Sequence, residues 1–282
     1  MNEYRMKRYL RKFLFVLLVL FIIAVLMFPV AAMVSVSLKK ANDVFSMPVT
    51  WIPKTFAFEN YVQVFRKMHI LNGFKASLII TGLTIALIMA IAIPAAYAFS
   101  CLDFYMKKQI YYLVLVSQMF APVIVIIPLY TMMNKLGLID SWLSLVLMNT
   151  TFNLAFIVLM LKATFDGVPK EVVEAAKIDG CSRFAVMTRI FLPVSSTGIA
   201  VAVIFAFTRT WNEFLFAFTF ISTTEKKPII VSLYEILKNN PAVGIPWHYV
   251  MAGAMYTTVP LVILFISIRN YITGDHTAGA IK

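Results

Sequence analysis

Arg209 and Glu213 stand four residues apart inside a stretch that is otherwise apolar, residues 193–221. Each costs about 2.5–3.5 kcal/mol at the centre of a bilayer, so both are expected to face the bundle interior rather than lipid. Their spacing allows a mutual salt bridge on one helix, although arginine before glutamate is the weaker order. At about 1.5 Å per residue Arg209 lies roughly 24 Å along that helix from Pro193, in its outer half. Two readings stay open: the pair lines or gates a solute pathway, or it fixes this helix against a neighbour. Asn149 and Asn153 share a face of a second apolar helix, where they can bind a hydroxylated solute or act as interhelical glue, the commoner role. Asn212 beside Trp211, and Tyr256, complete the set of candidate pathway residues. None of this is an enzyme's constellation. His69, His248 and His276 are scattered, and no convergent acid, base or metal group is assembled. Cys101 and Cys181 lack metal spacing, so no metal site and no catalytic residue are expected, and a structural disulfide is not expected either.

The elements that carry these residues are membrane spans. Of 282 residues, 61% are hydrophobic and 13% charged, about half the charged share of a soluble domain. Six segments are long and apolar enough to cross the hydrocarbon: 13–38, 76–100, 110–133, 142–161, 193–221 and 248–272. The predicted fold class is therefore an all-α membrane protein of six transmembrane helices. The first segment is too long for a signal-peptide core and reads as an uncleaved span. Arg5, Lys7, Arg8, Arg11 and Lys12 precede it and favour a cytoplasmic N-terminus, and an even span count returns the C-terminus to the same side. Residues 1–12 then form a basic cytoplasmic N-terminus, 13–272 the membrane domain and 273–282 a cytoplasmic tail. The net charge of +12 would suggest nucleic acid in a soluble protein. Here the basic residues lie mostly between apolar runs, where water, lipid phosphates and proteins meet them, so no nucleic acid is expected. Pro29, Pro94, Pro122, Pro128 and Pro260 fall inside predicted spans, as kinks for a moving bundle or as ordinary membrane prolines. No useful internal repeat is visible, which disfavours an inverted-repeat secondary transporter.

Between the fourth and fifth spans, residues 162–192 form a polar cytoplasmic loop. Pro169 can start a short helix, and Glu171 and Glu174 suit its positive end. Val172 and Ala176 share a face with Ala175 beside them. Gly180 can end the helix in a left-handed conformation and Ser182 can cap a second one, predicted over about 183–191 and stopping at Pro193. Such a helix–glycine–helix knob either docks in a cleft of another protein and transmits rigid-body motion, or lies on lipid as an amphipathic surface.

The order Glu174-Ala175-Ala176, Asp179-Gly180, Ile190, Leu192-Pro193 resembles the coupling loop of binding-protein-dependent ABC importer permeases, with Cys181 and Thr197 departing from the common pattern. The resemblance implies that Glu171, Glu174, Ala175, Ala176, Asp179, Gly180, Arg183, Phe184, Leu192 and Pro193 form the contact with a cytoplasmic ATPase. Trp211 to Ala217, the run Gly137 to Ser141, and the tail residues Thr277, Ala278, Gly279 and Lys282 are similar to the carbohydrate-uptake branch, and most to the smaller maltose-type permease. That branch implies a heterodimer with a paralogous permease, two ATP-binding cassette subunits and an extracytoplasmic solute-binding protein in a bacterial or archaeal inner membrane. It also implies a sugar cargo, on which Trp211 and Tyr256 could stack. The sequence has no GxxxxGK[ST] loop, so no cofactor is expected in this chain, and ATP and Mg would belong to the partner ATPases. The loop 222–246 faces outward on this reading, toward a binding protein or simply toward water. The first outer loop, about 39–75, presents Trp51, Phe56, Phe58, Tyr61 and Phe65 for interfacial or partner contacts. The competing expectations are a permease for a non-sugar solute such as glycerol-phosphate, and an ion-coupled secondary transporter.

Overall fold

The structure, a computed structural model, describes residues 2–67, 70–238 and 245–273, and every regular element among them is helical. In chain order these are α1 (Asn2–Ser37), α2 (Glu59–Lys67), α3 (Ile70–Cys101), α4 (Lys107–Ser117), α5 (Pro122–Lys135), α6 (Trp142–Asp166), α7 (Lys170–Ile178) and α8 (Arg183–Val186). A π-helical turn (Met187–Phe191) follows, then α9 (Leu192–Val194), α10 (Ser196–Trp211), α11 (Leu215–Phe220), α12 (Ile229–Lys238) and α13 (Trp247–Thr273). The predicted tail contacts Thr277, Ala278, Gly279 and Lys282 lie outside the described residues.

Five helical stretches are long and apolar enough to cross a membrane: Lys7–Ser37, Ile70–Cys101, Trp142–Asp166, Ser196–Phe220 and Trp247–Arg269. The remaining expected span, 110–133, is not one straight helix. It is α4 and α5, bent by 97°. The cause is Pro122, which stands at the start of α5 rather than inside a span. A residue before proline is driven out of the helical region, and Ala121 is extended, with ψ 127°. Pro29, Pro94, Pro128 and Pro260 do lie within helices.

Two compact units make up the chain, residues 1–68 with 233–256 and residues 69–232 with 257–282. In the first, α1 is exposed at every residue from 7 to 31, the surface of a helix solvated by lipid. Its end is tied to α2: the Asn60 amide donates to the carbonyls of Ser37 and Lys39, each at 2.8 Å, and the Ser37 and Tyr61 hydroxyls are 2.7 Å apart.

The second unit holds the core. α3 packs along α6, and α10 closes on both. Close approach is possible because the facing positions are small: Ala92 and Ala96 on α3, and Gly198, Ala202 and Ala206 at four-residue intervals on α10, the four alanines having no exposed surface. With no hydrophobic effect to drive helices together inside lipid, this small-residue spacing maximises van der Waals contact. The approach is tightest at Gly198, where an added Cβ would fall 2.2 Å from Thr164 Cγ2 of α6.

Candidate functional site

Two sites emerge, one at each part of a single run of helix. The first is the loop knob. α7 ends in a Schellman motif, with Cys181 N–H donating to Ala176 O at 3.0 Å and Gly180 left-handed at φ +79°. Ser182 Oγ then accepts from Ala185 N–H at 3.2 Å and caps α8. Val173 and Ala176 face inward, whereas Val172, expected on the face of Ala176, points out. Behind them Phe191 is packed edge-on against Tyr97 and Phe165, at 5.1 and 5.3 Å between ring centres, so the knob is seated firmly on α3 and α6. Its outer surface presents Glu171, Glu174, Ala175, Asp179, Gly180 and Arg183 around two bare apolar side chains, Ile178 at 86% and Phe184 at 71% exposure. Apolar side chains that bare, ringed by polar ones, suit either a protein contact or a lipid-facing surface. Ile178 carried no signal in the sequence beyond its place in the loop.

The helix after the knob does not stop at Pro193. Leu192 is half-buried and Pro193 exposed in α9, and the chain continues through a kink at Ser195 into α10. Proline has no N–H for the carbonyl four residues back, and the wider π-turn immediately before it absorbs the lost bond. The knob is thus joined to the fifth span by one nearly continuous helical run, residues 183–211.

The second site is where that run breaks. The fifth span is interrupted at 212–214, and Trp211, Asn212 and Glu213 each have a distinct part in the break. Trp211 is buried, stacked on Phe207 at 5.3 Å, and its indole N–H donates to Thr257 O at 3.1 Å, which anchors the end of α10. The exposed Asn212 amide donates to Thr208 O at 2.9 Å and closes the last turn. Glu213 accepts from the N–H groups of Phe216 at 2.7 Å and Ala217 at 3.1 Å, capping α11. Arg209 and Glu213 therefore do not pair. The arginine stands in the last turn of α10 and the carboxylate at the start of α11, each at the helix end of opposite partial charge.

Arg209 turns instead to α6. Its Nη1 donates to Asn153 Oδ1 at 3.5 Å, and its guanidinium lies 4.4 Å from the centre of the Phe156 ring. Asn149 and Asn153 are buried and donate their amide nitrogens one turn back, to Leu145 O and Asn149 O, at 2.9 and 2.8 Å. Arg209, Glu213, Asn149 and Asn153 together line a cleft of about 370 Å³, with Phe152 and Phe216 forming an apolar wall and Gln118 and Phe120 contributed by the break between α4 and α5. Two broken spans meet at one cavity. Irregular backbone at membrane depth is tolerated where it lines such a cavity. Trp211 and Asn212 are not among the cleft residues. Tyr256 lies in the other unit, where its hydroxyl donates to Tyr61 O at 3.3 Å and its ring meets Tyr61 and Phe65. Gln118 and Phe120 were missed because a straight third span hides the break that presents them.

Outside the spans, a clasp joins the approach to α6 with the exit from α11. Gly137, at φ +67°, ends α5, and Ser141 Oγ accepts from Leu143 N–H to cap α6. Between them the Asp140 carboxylate accepts from the N–H groups of Ser222 and Thr223, the Thr223 hydroxyl and the Lys226 ammonium, at 2.6–3.0 Å. Burial by itself raises the Asp140 pKa, but these donors outweigh it and hold the carboxyl well below the usual carboxylate range.

Residues 92–273, which include the knob, the cleft and the clasp, match the family of binding-protein-dependent transport system inner membrane components. The chain belongs to that family. It is thus a membrane permease component of a binding-protein-dependent ABC transport system. Similar chains include the sulfoquinovosyl glycerol transport system permease protein SmoH of Agrobacterium fabrum, 31% identical over 91% of this chain and 89% of that one. The trehalose/maltose transport system permease protein MalG of Thermococcus litoralis is 30% identical over 97% of this chain and 98% of that one. In fold, the permease resembles a chain of a bacterial ABC transporter involved in the import of the acidic polysaccharide alginate. The TM-score is 0.79 at 20% identity, covering 95% of this chain and 98% of that one.

Proposed function

We propose that this permease forms half of the translocation pathway for a sugar or oligosaccharide and couples it to ATP hydrolysis by separate subunits. The observation that carries the proposal is the helical run 183–211, which begins at the exposed knob and ends at the cleft between two broken spans. Movement of Phe184 and its neighbours is passed along that run, through the π-turn and the kink at Ser195, to Arg209. On this reading the knob faces the cytoplasm and docks on one of two ATPase subunits, which bind ATP and Mg. A paralogous permease supplies the other half of the pathway, and an extracytoplasmic binding protein delivers the solute. Both chain termini are then cytoplasmic. Closure of the ATPases moves the knob, tilts spans three to five and exchanges an inward-opening cavity for an outward-opening one. The sugar assignment is supported by the named cargoes of SmoH and MalG.

The test is reconstitution of the permease in proteoliposomes with the subunits encoded beside it, followed by ATP-dependent uptake of labelled oligosaccharides. Gly180→Pro is the informative variant, because φ +79° is closed to proline, which holds φ near −65°. The variant is expected to assemble and to lose uptake. Normal uptake by an assembled Gly180→Pro complex refutes the coupling role, and ATP hydrolysis without uptake of any sugar refutes the cargo.

A further inference from the structure

We propose that the cleft receives the acidic substituent of an anionic glycan, a carboxylate, sulfonate or phosphate, and that Arg209 is the residue that reads it. The inference rests on the sugar-pathway reading and deepens it by naming the cargo's charge.

Four features converge on Arg209. It is exposed at membrane depth, where an arginine is costly unless it faces a wet cavity, and it lines this one. Its guanidinium carbon lies over the Phe156 ring, 4.4 Å from the centre, and Nη1 donates to Asn153 Oδ1, contacts that pre-orient the fork before any solute arrives. The Asn153 bond is long, at 3.5 Å, and uses one of five N–H donors, leaving the bidentate edge that matches a carboxylate, sulfonate or phosphate. Glu213, which lines the same cleft, forms no salt bridge with Arg209 and instead accepts a backbone N–H bond of α11 on each oxygen.

The rest of the cleft suits the sugar that would carry the charge. Asn149 and Asn153 donate from their side-chain nitrogens to α6 backbone carbonyls, which leaves the side-chain Oδ1 of Asn149 as an acceptor for a hydroxyl. Phe152 and Phe216, with rings 5.2 Å apart, offer an apolar face. A guanidinium can donate to neutral hydroxyls, but its bidentate, charge-assisted bonds are strongest with an anion.

The experiment is saturation-transfer NMR on the assembled complex in nanodiscs, with digalacturonate as the acidic probe and maltose as the neutral one. Digalacturonate is expected to bind, to weaken with added salt, and to lose on the order of tenfold or more in affinity on Arg209→Gln. Arg209→Lys, which keeps the charge but not the fork, should fall between. Any loss of maltose binding in either variant should be at least several-fold smaller than the loss of digalacturonate binding. Unchanged digalacturonate binding in Arg209→Gln overturns the inference, as does an equal loss of maltose binding, which marks a structural arginine. Binding of maltose without digalacturonate overturns it while leaving the sugar pathway standing. Binding of neither probe, in a complex that hydrolyses ATP, overturns both.

Discussion

Gly198→Ala probes the joint between the knob and the bundle. An alanine Cβ at this position would sit 2.2 Å from Thr164 Cγ2, 2.6 Å from Oγ1 and 2.9 Å from Cβ. Carbon atoms settle at about 3.5–4.0 Å, so the pair must separate by more than 1 Å. Turning the Thr164 side chain is poor relief. Its hydroxyl donates to Met160 O at 3.2 Å, and the Cβ contact remains whatever the rotamer. Moving α10 away opens the seam at Ala202 and Ala206, which have no exposed surface. Overpacking of this kind costs about 1–3 kcal/mol, and the better helix propensity of alanine offsets up to about 1 kcal/mol. A contact as short as 2.2 Å belongs in the upper half of the overpacking range, so the net loss is about 1–2 kcal/mol. On the scale of soluble domains of similar size this lowers the melting temperature by roughly 2–8 °C, measurable by the intrinsic fluorescence of the purified complex. Thr164→Ala removes the two nearest atoms and leaves only the 2.9 Å contact, so the double variant should recover at least half the loss. Because Thr164 and Gly198 flank the loop, uptake should fall and recover in parallel with stability. A Gly198→Ala complex that melts with the wild type, or a double variant no better than the single, refutes the account of the α6–α10 seam.

Asp140→Ala should loosen the clasp, lowering the melting temperature and raising proteolysis within 222–228 by about five- to thirtyfold, in line with about 1–2 kcal/mol for lost charge-assisted bonds. The folded carboxyl lies below its unfolded value near 3.9. Its contribution is therefore complete above that pH and is lost as pH falls from there through the folded pKa. The variant should consequently differ from wild type at pH 6 and converge on it in strong acid, and a difference that grows with acid contradicts the assignment. Glu213→Ala should unwind α11, because two N–H groups lose their acceptor at a cost of about 1–3 kcal/mol each, whereas Glu213→Gln keeps one acceptor and should lose less. Protection of the Phe216 and Ala217 amides in hydrogen exchange reads this directly, and equal protection in all three proteins would sink it.

The sequence by itself determined what depends on neighbours along the chain. Six apolar segments follow from length and hydropathy alone. The left-handed Gly180 and the Ser182 cap were legible because glycine and serine have short-range conformational preferences that do not wait for packing. The family resemblance was carried by the same loop. Only the tertiary structure decided how the charged residues are used. Spacing brought Arg209 and Glu213 within reach of each other on an unbroken helix, but Trp211 is anchored in the core and the helix breaks after it. The two charges then go to opposite helix ends, and Arg209 finds Asn153, 56 residues away in sequence. Likewise Pro122 announced a kink but not its 97° bend, nor that the bend meets the break in span five across α6. Local preference fixes a turn, whereas a cleft is a relation among separate helices. Close packing of small residues, at Gly198 against Thr164 above all, sets that relation.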